Sequence, residues 1–256
     1  AWSAELFSLL GRLPLKRQLA LGAGLGRIAG WGKGYRRSVV DSNLQQAFPQ
    51  KSTPEIAELR TEIYRHLGQM LTETLALQHL HQQNLLERFT WPDSAWVQQL
   101  AQDQGPVLIL VGHQFNWEWG MQVLALKAQM PVLCAYMPLK DPVADRLLLR
   151  TRSRWGAQMV PLRQFTRRLL AQAGQPCIGM LAADQSPPDL GAAAYVPFFG
   201  QSTPFQTGAE VLGRKKGYPL VFTEIQRLGA GRFEARSEVL EDHPQRTAPI
   251  ELTARF

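Results

Sequence analysis

A histidine and a glutamate five positions apart, His113 and Glu118, are the strongest candidates for chemistry in this chain of 256 residues. The apolar run 107–111 and Gly112 precede His113, and together they predict a buried strand that ends in a turn. Asn116 then predicts the cap of a helix that carries Glu118 in its first turn. A histidine in such a turn can fold back over the first helical turn, where a carboxylate would orient the imidazole and raise its basicity. This arrangement is typical of a general base with an orienting partner.

The spacing alone is weak support for catalysis. With 5 histidines and 21 acidic residues in the chain, about 0.4 such pairs are expected by chance. The context adds more, because His113 is the only histidine that follows a strand-like run. The alternative, a histidine that merely lies in a polar turn before a helix, stays open at this point.

Apolar and polar segments alternate along the rest of the chain. Their lengths and periods predict strands at 106–112, 131–136, 158–161, 176–183, 218–225 and 232–239, and helices at 54–88, 116–128, 142–155, 164–173 and 206–216. We therefore expect an α/β fold with a mixed, largely parallel sheet flanked by helices, in which sites gather at the carboxyl ends of strands. Both His113 and Asp184 follow such ends.

The first 51 residues differ in composition from the rest. They hold eight basic and two acidic side chains, a net charge of +6 in a chain whose total is +7, and they are rich in Trp, Phe and Leu. This composition is typical of amphipathic helices that lie on an anionic membrane surface, and residues 2–31 predict one or two of them. An ordinary basic helix packed on a soluble core is the alternative. We divide the chain into a basic, membrane-associating helical region at 1–51 and an α/β domain at 52–256.

Cysteine and histidine usage argues against a disulfide framework or a metal centre. Cys134 and Cys177 lie in apolar, strand-like runs and are expected to be buried, reduced packing residues. His79 and His81 have no third ligand at a plausible spacing. No metal site is predicted.

Several motifs, in order along the chain, resemble the late acyltransferases of lipid A biosynthesis. These enzymes are part of the wider lysophospholipid acyltransferase group, whose signature is His, four residues, then Asp or Glu. The resemblance runs from about residue 13 to about residue 240 and rests on Gly112-His113 with Glu118, Tyr136 with Lys140-Asp141-Pro142, Arg152-Ser153-Arg154-Trp155-Gly156, Asp184-Gln185-Ser186-Pro187, and Val196-Pro197-Phe198-Phe199-Gly200 with Gly208. It implies a glycerolipid-acyltransferase-like fold with an N-terminal membrane-binding region.

The resemblance also implies an activity. It is that of a membrane-associated O-acyltransferase that moves a fatty acyl chain from acyl carrier protein to a hydroxyl of a lipid A precursor, with His113 and Glu118 as the general-base dyad and no acyl-enzyme. No cofactor is implied beyond acyl-acyl carrier protein as co-substrate. The implied partners are an acyl carrier protein or acyl-CoA donor, a lipid acceptor and an anionic membrane surface, with no nucleic acid. The implied location is the cytoplasmic face of the inner membrane, as a peripheral or monotopic protein.

The matching motifs supply candidate substrate-binding residues. Arg152 stands at an arginine of the family, where a guanidinium could bind a phosphate or the oxyanion. The pair Asp184 and Gln185 would shape the floor of the site or bind a sugar, and Phe199 with Gly200 would contact the acyl chain or the acceptor. The full set of candidate substrate-binding positions is Asn116, Lys140, Arg152, Asp184, Gln185, Phe199 and Gly200.

Two alternatives to this function remain. One is acyl transfer to another acceptor, such as lysophosphatidate, a glycolipid or an aminolipid. The other is a non-catalytic peripheral membrane protein that has kept the scaffold. The chain starts without Met and stops at Phe256 without a natural ending, so we expect a truncation, above all at the C-terminus.

Overall fold

The computed structural model describes residues 11–32, 34–187 and 189–256. The helices in them are α1 (Leu15–Ala29), α2 (Arg37–Ala47), α3 (Thr53–Ala76), α4 (Gln82–Arg88), α5 (Ser94–Gln104), α6 (Trp117–Lys127), α7 (Pro142–Arg152), α8 (Leu162–Leu170), α9 (Gly208–Lys216) and α10 (Glu251–Arg255). The strands are β1 (Phe89–Thr90), β2 (Val107–Val111), β3 (Val132–Tyr136), β4 (Gln158–Pro161), β5 (Ile178–Ala182), β6 (Ala193–Phe198), β7 (Gln201–Gln206), β8 (Leu220–Gly229) and β9 (Arg232–Glu241). The alternation of strands and helices confirms the predicted α/β class.

Seven of these strands form the main sheet, in the order β1-β9-β8-β2-β5-β3-β4. Strand β2 is parallel to both of its neighbours, so that Val111 is level with Ala182 of β5 and Thr223 of β8. Strand β3 is parallel to β4 and β5, and β1 is parallel to β9. The predicted, largely parallel sheet is therefore confirmed. Its topology places the carboxyl ends of β2 and β5 side by side.

The central strands are buried in the core of the sheet, which is why they stand out in the sequence as continuous apolar runs. Every residue of β2 is buried, as expected for a strand with helices on both faces of the sheet. Helix α8 packs Phe165 and Leu169 into the same core as Leu108 and Leu220. Each fully buried side chain of this size contributes about 1.5–3 kcal/mol relative to an exposed one.

The chain consists of two compact units. Of the residues described, one unit contains those up to Asn84, with Pro197–Ser202 and Gly229–Arg232, and the other contains those within Leu85–Val196, Thr203–Leu228 and Phe233–Phe256. Composition placed the boundary of the N-terminal region at residue 51. In the structure, α3 lies in the same unit as α1.

Helices α1 and α3 approach each other closely at glycines. A Cβ atom on Gly22 would collide with the carbonyl of Gly68, and one on Gly26 would overlap the carbonyl of Tyr64. A larger residue at either position would separate the two backbones, so the absence of side chains is what allows this packing.

Some elements were not predicted, for local reasons. Helix α2 buries only Leu44 and therefore has little hydrophobic period to detect. Strands β6 and β7 pair with each other and contain Pro197 and Pro204, residues that usually argue against a strand. The predicted helix at 54–88 is divided into α3 and α4, and residues 2–10 of the predicted N-terminal helices lie outside the described residues. None of the helices described is both long enough and apolar enough to cross a membrane.

Candidate active site

The turn between β2 and α6 presents His113. Phe115, in the turn after the strand, has a left-handed backbone with φ of 42°. Asn116 then caps α6, since its side chain accepts a hydrogen bond from the backbone N–H of Trp119 at 3.0 Å. The predicted strand, turn, cap and helix are therefore all present, and His113 lies in the turn with its side chain 35% exposed.

Asp184 holds His113 at two points. Its Oδ1 atom lies 2.6 Å from Nδ1 of the imidazole, and its Oδ2 atom accepts the backbone N–H of His113 at 2.8 Å. The contact is possible because Asp184 follows β5, the parallel neighbour of β2. Gly112 contributes as well, because a Cβ atom there would lie 3.4 Å from Oδ2 of Asp184 and 3.0 Å from Gln114.

The electrostatics of this pair favour one arrangement of protons. Burial alone would raise the pKa of Asp184, but hydrogen bonds from the side chain and backbone of His113 outweigh it and hold the pKa below its usual value. An ionised carboxylate beside Nδ1 favours the tautomer in which Nδ1–H donates to Asp184. The Nε2 atom of His113 then keeps a free lone pair, as a general base requires.

Glu118 is paired with Arg152. Its Oε1 atom lies 2.5 Å from Nη2 of Arg152, and both side chains are 12% exposed. The guanidinium also lies over the ring of Trp117, 5.1 Å from its centroid. Two buried polar atoms of this pair, Oε2 of Glu118 and Nε of Arg152, have no hydrogen-bond partner among the residues described.

The predicted contact between Glu118 and His113 is not formed. Within the described residues, the hydrogen bonds of His113 go to Asp184, and that of Glu118 goes to Arg152. The reason lies in the sheet, because β5 brings a carboxylate to the histidine from the neighbouring strand end. Glu118, on the first turn of α6, meets the C-terminal end of α7 instead. Trp117 lies between the two pairs, with its ring 5.4 Å from that of His113.

A cavity of about 300 Å³ adjoins both pairs. Its polar lining includes His113, Arg152 and Gln185. Most of the other lining residues are apolar, and several come from α7, α8, β5 and α9, among them Leu148, Phe165, Leu181 and Leu212. Binding sites for small molecules usually begin at about this volume and combine apolar walls with a few polar groups. The cavity can hold a hydrocarbon chain beside a base and a cation.

The other predicted substrate-binding residues lie in varied places. Asn116 is 1% exposed and serves as a helix cap. Lys140 is exposed in the loop before α7. Phe199 and Gly200 form the turn between β6 and β7, with φ of 47° and 73°, and Phe199 packs against Phe48 within the first unit. The cavity, as the described residues line it, does not include Asn116, Lys140, Phe199 or Gly200. Their proposed roles in binding stay predictions.

Sequence reasoning missed two features of this site. The direct contact of Asp184 with the histidine was not predicted, and its expected role in binding substrate or shaping the floor stays a prediction. Trp117 was not singled out, although its ring touches His113 and Arg152. Its position directly before Glu118 in the first helical turn was an available signal.

The expectation for Cys134 and Cys177 is confirmed, since both are buried free thiols whose pKa values burial raises to about 12 and about 11.

Comparison with known proteins identifies the family. Residues 3–248 match the family model described as bacterial lipid A biosynthesis acyltransferase. Similar curated proteins include the lipid A biosynthesis palmitoleoyltransferase of Escherichia coli (strain K12) and the lipid A biosynthesis acyltransferase of Shigella flexneri. Each is 26% identical over 230 residues, which cover 84% of this chain and 70% of the relative. A lipid A biosynthesis acyltransferase of Haemophilus influenzae is 23% identical over 195 residues, 75% of this chain and 60% of that protein.

The predicted resemblance is thus confirmed along nearly the whole chain. The match includes the turn that carries His113 and the segments that carry Arg152 and Asp184. This chain belongs to the bacterial lipid A biosynthesis acyltransferase family and is an acyltransferase.

Proposed function

We propose that this protein transfers a fatty acyl chain from acyl carrier protein to a hydroxyl of a lipid A precursor. One observation carries the proposal: His113, held at two points by Asp184, lies in the wall of a largely apolar cavity. The names of the relatives support a lipid A precursor as the acceptor, because all three proteins are named for lipid A biosynthesis.

The reaction is a single displacement without an acyl-enzyme. Nε2 of His113 takes the proton of the acceptor hydroxyl while the hydroxyl oxygen attacks the carbonyl carbon of the thioester. The tetrahedral intermediate then collapses, the carbon–sulfur bond breaks, and the proton passes from His113 to the leaving sulfur. Asp184 keeps Nδ1 protonated and stabilises the imidazolium that forms between the two steps. It takes the orienting role that the sequence pattern assigned to Glu118.

Arg152 supplies positive charge for the oxyanion of the intermediate. Its guanidinium lines the cavity with His113, and the contacts with Glu118 and Trp117 fix its position. A donor that is already held in place loses little entropy when negative charge develops on the carbonyl oxygen. Glu118 therefore acts on catalysis through Arg152, as a positioning residue.

The surface of α1 supports binding to a membrane. Leu21, Leu25 and Ile28 follow one another at helical spacing and are 46%, 59% and 68% exposed, and Trp31 just beyond them is 83% exposed. The same helix carries three exposed basic residues, Lys16, Arg17 and Arg27. Exposed apolar residues beside basic ones are typical of helices that lie in the plane of an anionic membrane. We infer a peripheral protein that meets its lipid acceptor at the cytoplasmic face of the inner membrane.

Mass spectrometry of a reconstituted reaction tests this function. The purified chain is mixed with acyl-acyl carrier protein and a lipid A precursor in detergent, and we expect a product heavier by one acyl group. Parallel reactions offer lysophosphatidate, a glycolipid or an aminolipid as acceptor. A preference for one of these lipids would overturn the proposed acceptor, and an acyl-enzyme trapped without acceptor would overturn the single-displacement mechanism.

A further inference from the structure

Positive charge is concentrated in a second segment, far from the N-terminus. Residues 142–170, which contain α7 and α8, hold seven arginines and one aspartate and so carry a net charge of +6. Residues 1–51 also carry +6, so the chain total of +7 leaves −5 for all other residues. The basic character of 142–170 is therefore a local feature rather than a property of the whole surface.

Both helices of this segment form walls of the cavity. Helix α7 contributes Leu148 and Arg152 to the lining, and α8 contributes Leu162, Phe165 and Thr166. A partner that covers the outer faces of these helices would thus lie next to the space proposed for the acyl chain.

Three arginines of these helices are exposed. Arg150 of α7 is exposed, as are Arg163 and Arg167 of α8, which are one helical turn apart and directly follow the lining residues Leu162 and Thr166. In the part of the chain that the structure describes, none of the three forms a salt bridge. Guanidinium groups without a counter-charge attract an acidic partner and accelerate its association. Arg163 and Arg167, four positions apart, share one face of α8, and we call these two residues the arginine surface.

The composition of α8 favours a protein partner over a membrane. Apart from Leu162, which lines the cavity, its exposed side chains are polar: Arg163, Gln164, Thr166, Arg167 and Arg168. A helix that binds a membrane also inserts apolar side chains, and α1 exposes such side chains on one face. The face of α8 offers charge without apolar residues for insertion, which suits a water-facing acidic surface.

We propose that the arginine surface is the docking site of an acidic acyl carrier protein, which delivers its thioester-bound chain to the adjoining cavity. This inference rests on the proposed function, since it concerns the donor of that reaction. The positive face orients the carrier protein during encounter, and the thioester then reaches His113 through the cavity wall that α7 and α8 build.

Charge reversal on α8 tests the docking site. The double variant Arg163→Glu/Arg167→Glu is compared with Lys215→Glu/Arg246→Glu, which reverses two exposed basic residues outside the segment and changes the net charge equally. Binding of acyl carrier protein is measured by fluorescence anisotropy at low and high salt. Turnover is measured with acyl-acyl carrier protein and with a small acyl-pantetheine thioester.

For the α8 variant we expect the Kd for the carrier protein to be higher by about tenfold or more at low salt. The variant should also lose specificity for the carrier donor: kcat/KM for the carrier donor, divided by kcat/KM for the small donor, should fall by the same factor. The control variant should change both quantities by less than about twofold.

Equal effects in the two variants, or none in the α8 variant, would overturn the docking site. Loss of binding to anionic phosphatidylglycerol vesicles with unchanged carrier affinity would also overturn it, in favour of a membrane contact. A wild-type protein that binds the carrier at the arginine surface but uses only acyl-CoA would overturn the proposed donor and leave the docking site supported.

Discussion

The carboxylate of Asp184 bonds His113 twice, once to Nδ1 of the ring at 2.6 Å and once to the backbone N–H at 2.8 Å. These two bonds fix both the direction of the imidazole and the position of the turn that carries it. The residues are 71 positions apart in the chain and meet because their strands are parallel neighbours. The reactivity of the histidine therefore depends on the pairing of β2 with β5.

Replacement of Asp184 by asparagine should reduce activity without unfolding the protein. An amide can donate to Nδ1, which would move the ring proton to Nε2 and remove the lone pair that acts as base. We expect Asp184→Asn to lower kcat by about 10²-fold or more, measured with saturating donor and acceptor. Asp189→Asn is the matched control, because the bond that Asp189 accepts among the described residues comes from the local N–H of Gly191 in a short turn. Similar kcat values in the two variants would contradict the role of Asp184.

The stability that Asp184 contributes should depend on pH. Because the folded protein holds its pKa below the usual value, Asp184 stabilises the fold above the pKa of the unfolded chain, and this contribution is lost as pH falls through the lowered pKa. The difference in Tm between wild type and Asp184→Asn should therefore shrink from about pH 7 to about pH 3. A difference that stays constant over this range would mean that the charge of Asp184 does not contribute.

Glu118 and Arg152 should behave as a coupled pair in unfolding experiments. Removal of Glu118 leaves a guanidinium with 12% exposure without its counter-charge, which typically costs about 3–5 kcal/mol. We expect Glu118→Ala/Arg152→Ala to cost less than the sum of the single variants in urea unfolding. The pair of Arg236 and Glu234, with side chains 54% and 21% exposed, is more accessible to solvent and offers a control cycle, with an expected coupling below about 1 kcal/mol. Additive losses for Glu118 and Arg152 would show that the ion pair does not hold Arg152 in place.

The exposed face of α1 should determine binding to lipid vesicles. Ile28→Glu places a charge where we expect contact with acyl chains, so sedimentation with anionic vesicles should fall severalfold. Leu228→Glu is the control, since Leu228 is 62% exposed on β8 and Ile28 is 68% exposed. Salt should weaken the binding of wild type, because headgroup attraction is screened. If both variants sediment like wild type, α1 is not the membrane contact.

Local pattern was sufficient to predict much of the fold. The apolar run 107–111 could only be a buried segment, and its flanking Pro106 and Gly112 limited it to the length of a strand. Asn116 marked the start of α6 because a short polar side chain before an apolar segment is a cap signal. In contrast, α2 has one buried residue and hence almost no periodic signal.

The partners within the site could not be predicted in the same way. A spacing of five positions suggested Glu118 as the partner of His113, because a sequence pattern relates only positions that lie near one another along the chain. Asp184 becomes a neighbour of His113 only once the order of strands in the sheet is known. Both residues were singled out as site candidates from their strand ends, whereas their contact required the three-dimensional topology.

The rate of acyl transfer by His113→Ala tests the central claim most directly. The variant is compared with His243→Ala, which removes an exposed histidine elsewhere in the chain, and both are first shown to unfold at the wild-type temperature. Transfer is followed by mass spectrometry of the acylated lipid under saturating donor. If His113 is the general base, His113→Ala should be slower by about 10²–10⁴-fold while His243→Ala keeps wild-type activity. Near-normal turnover in His113→Ala would contradict the assignment of this site.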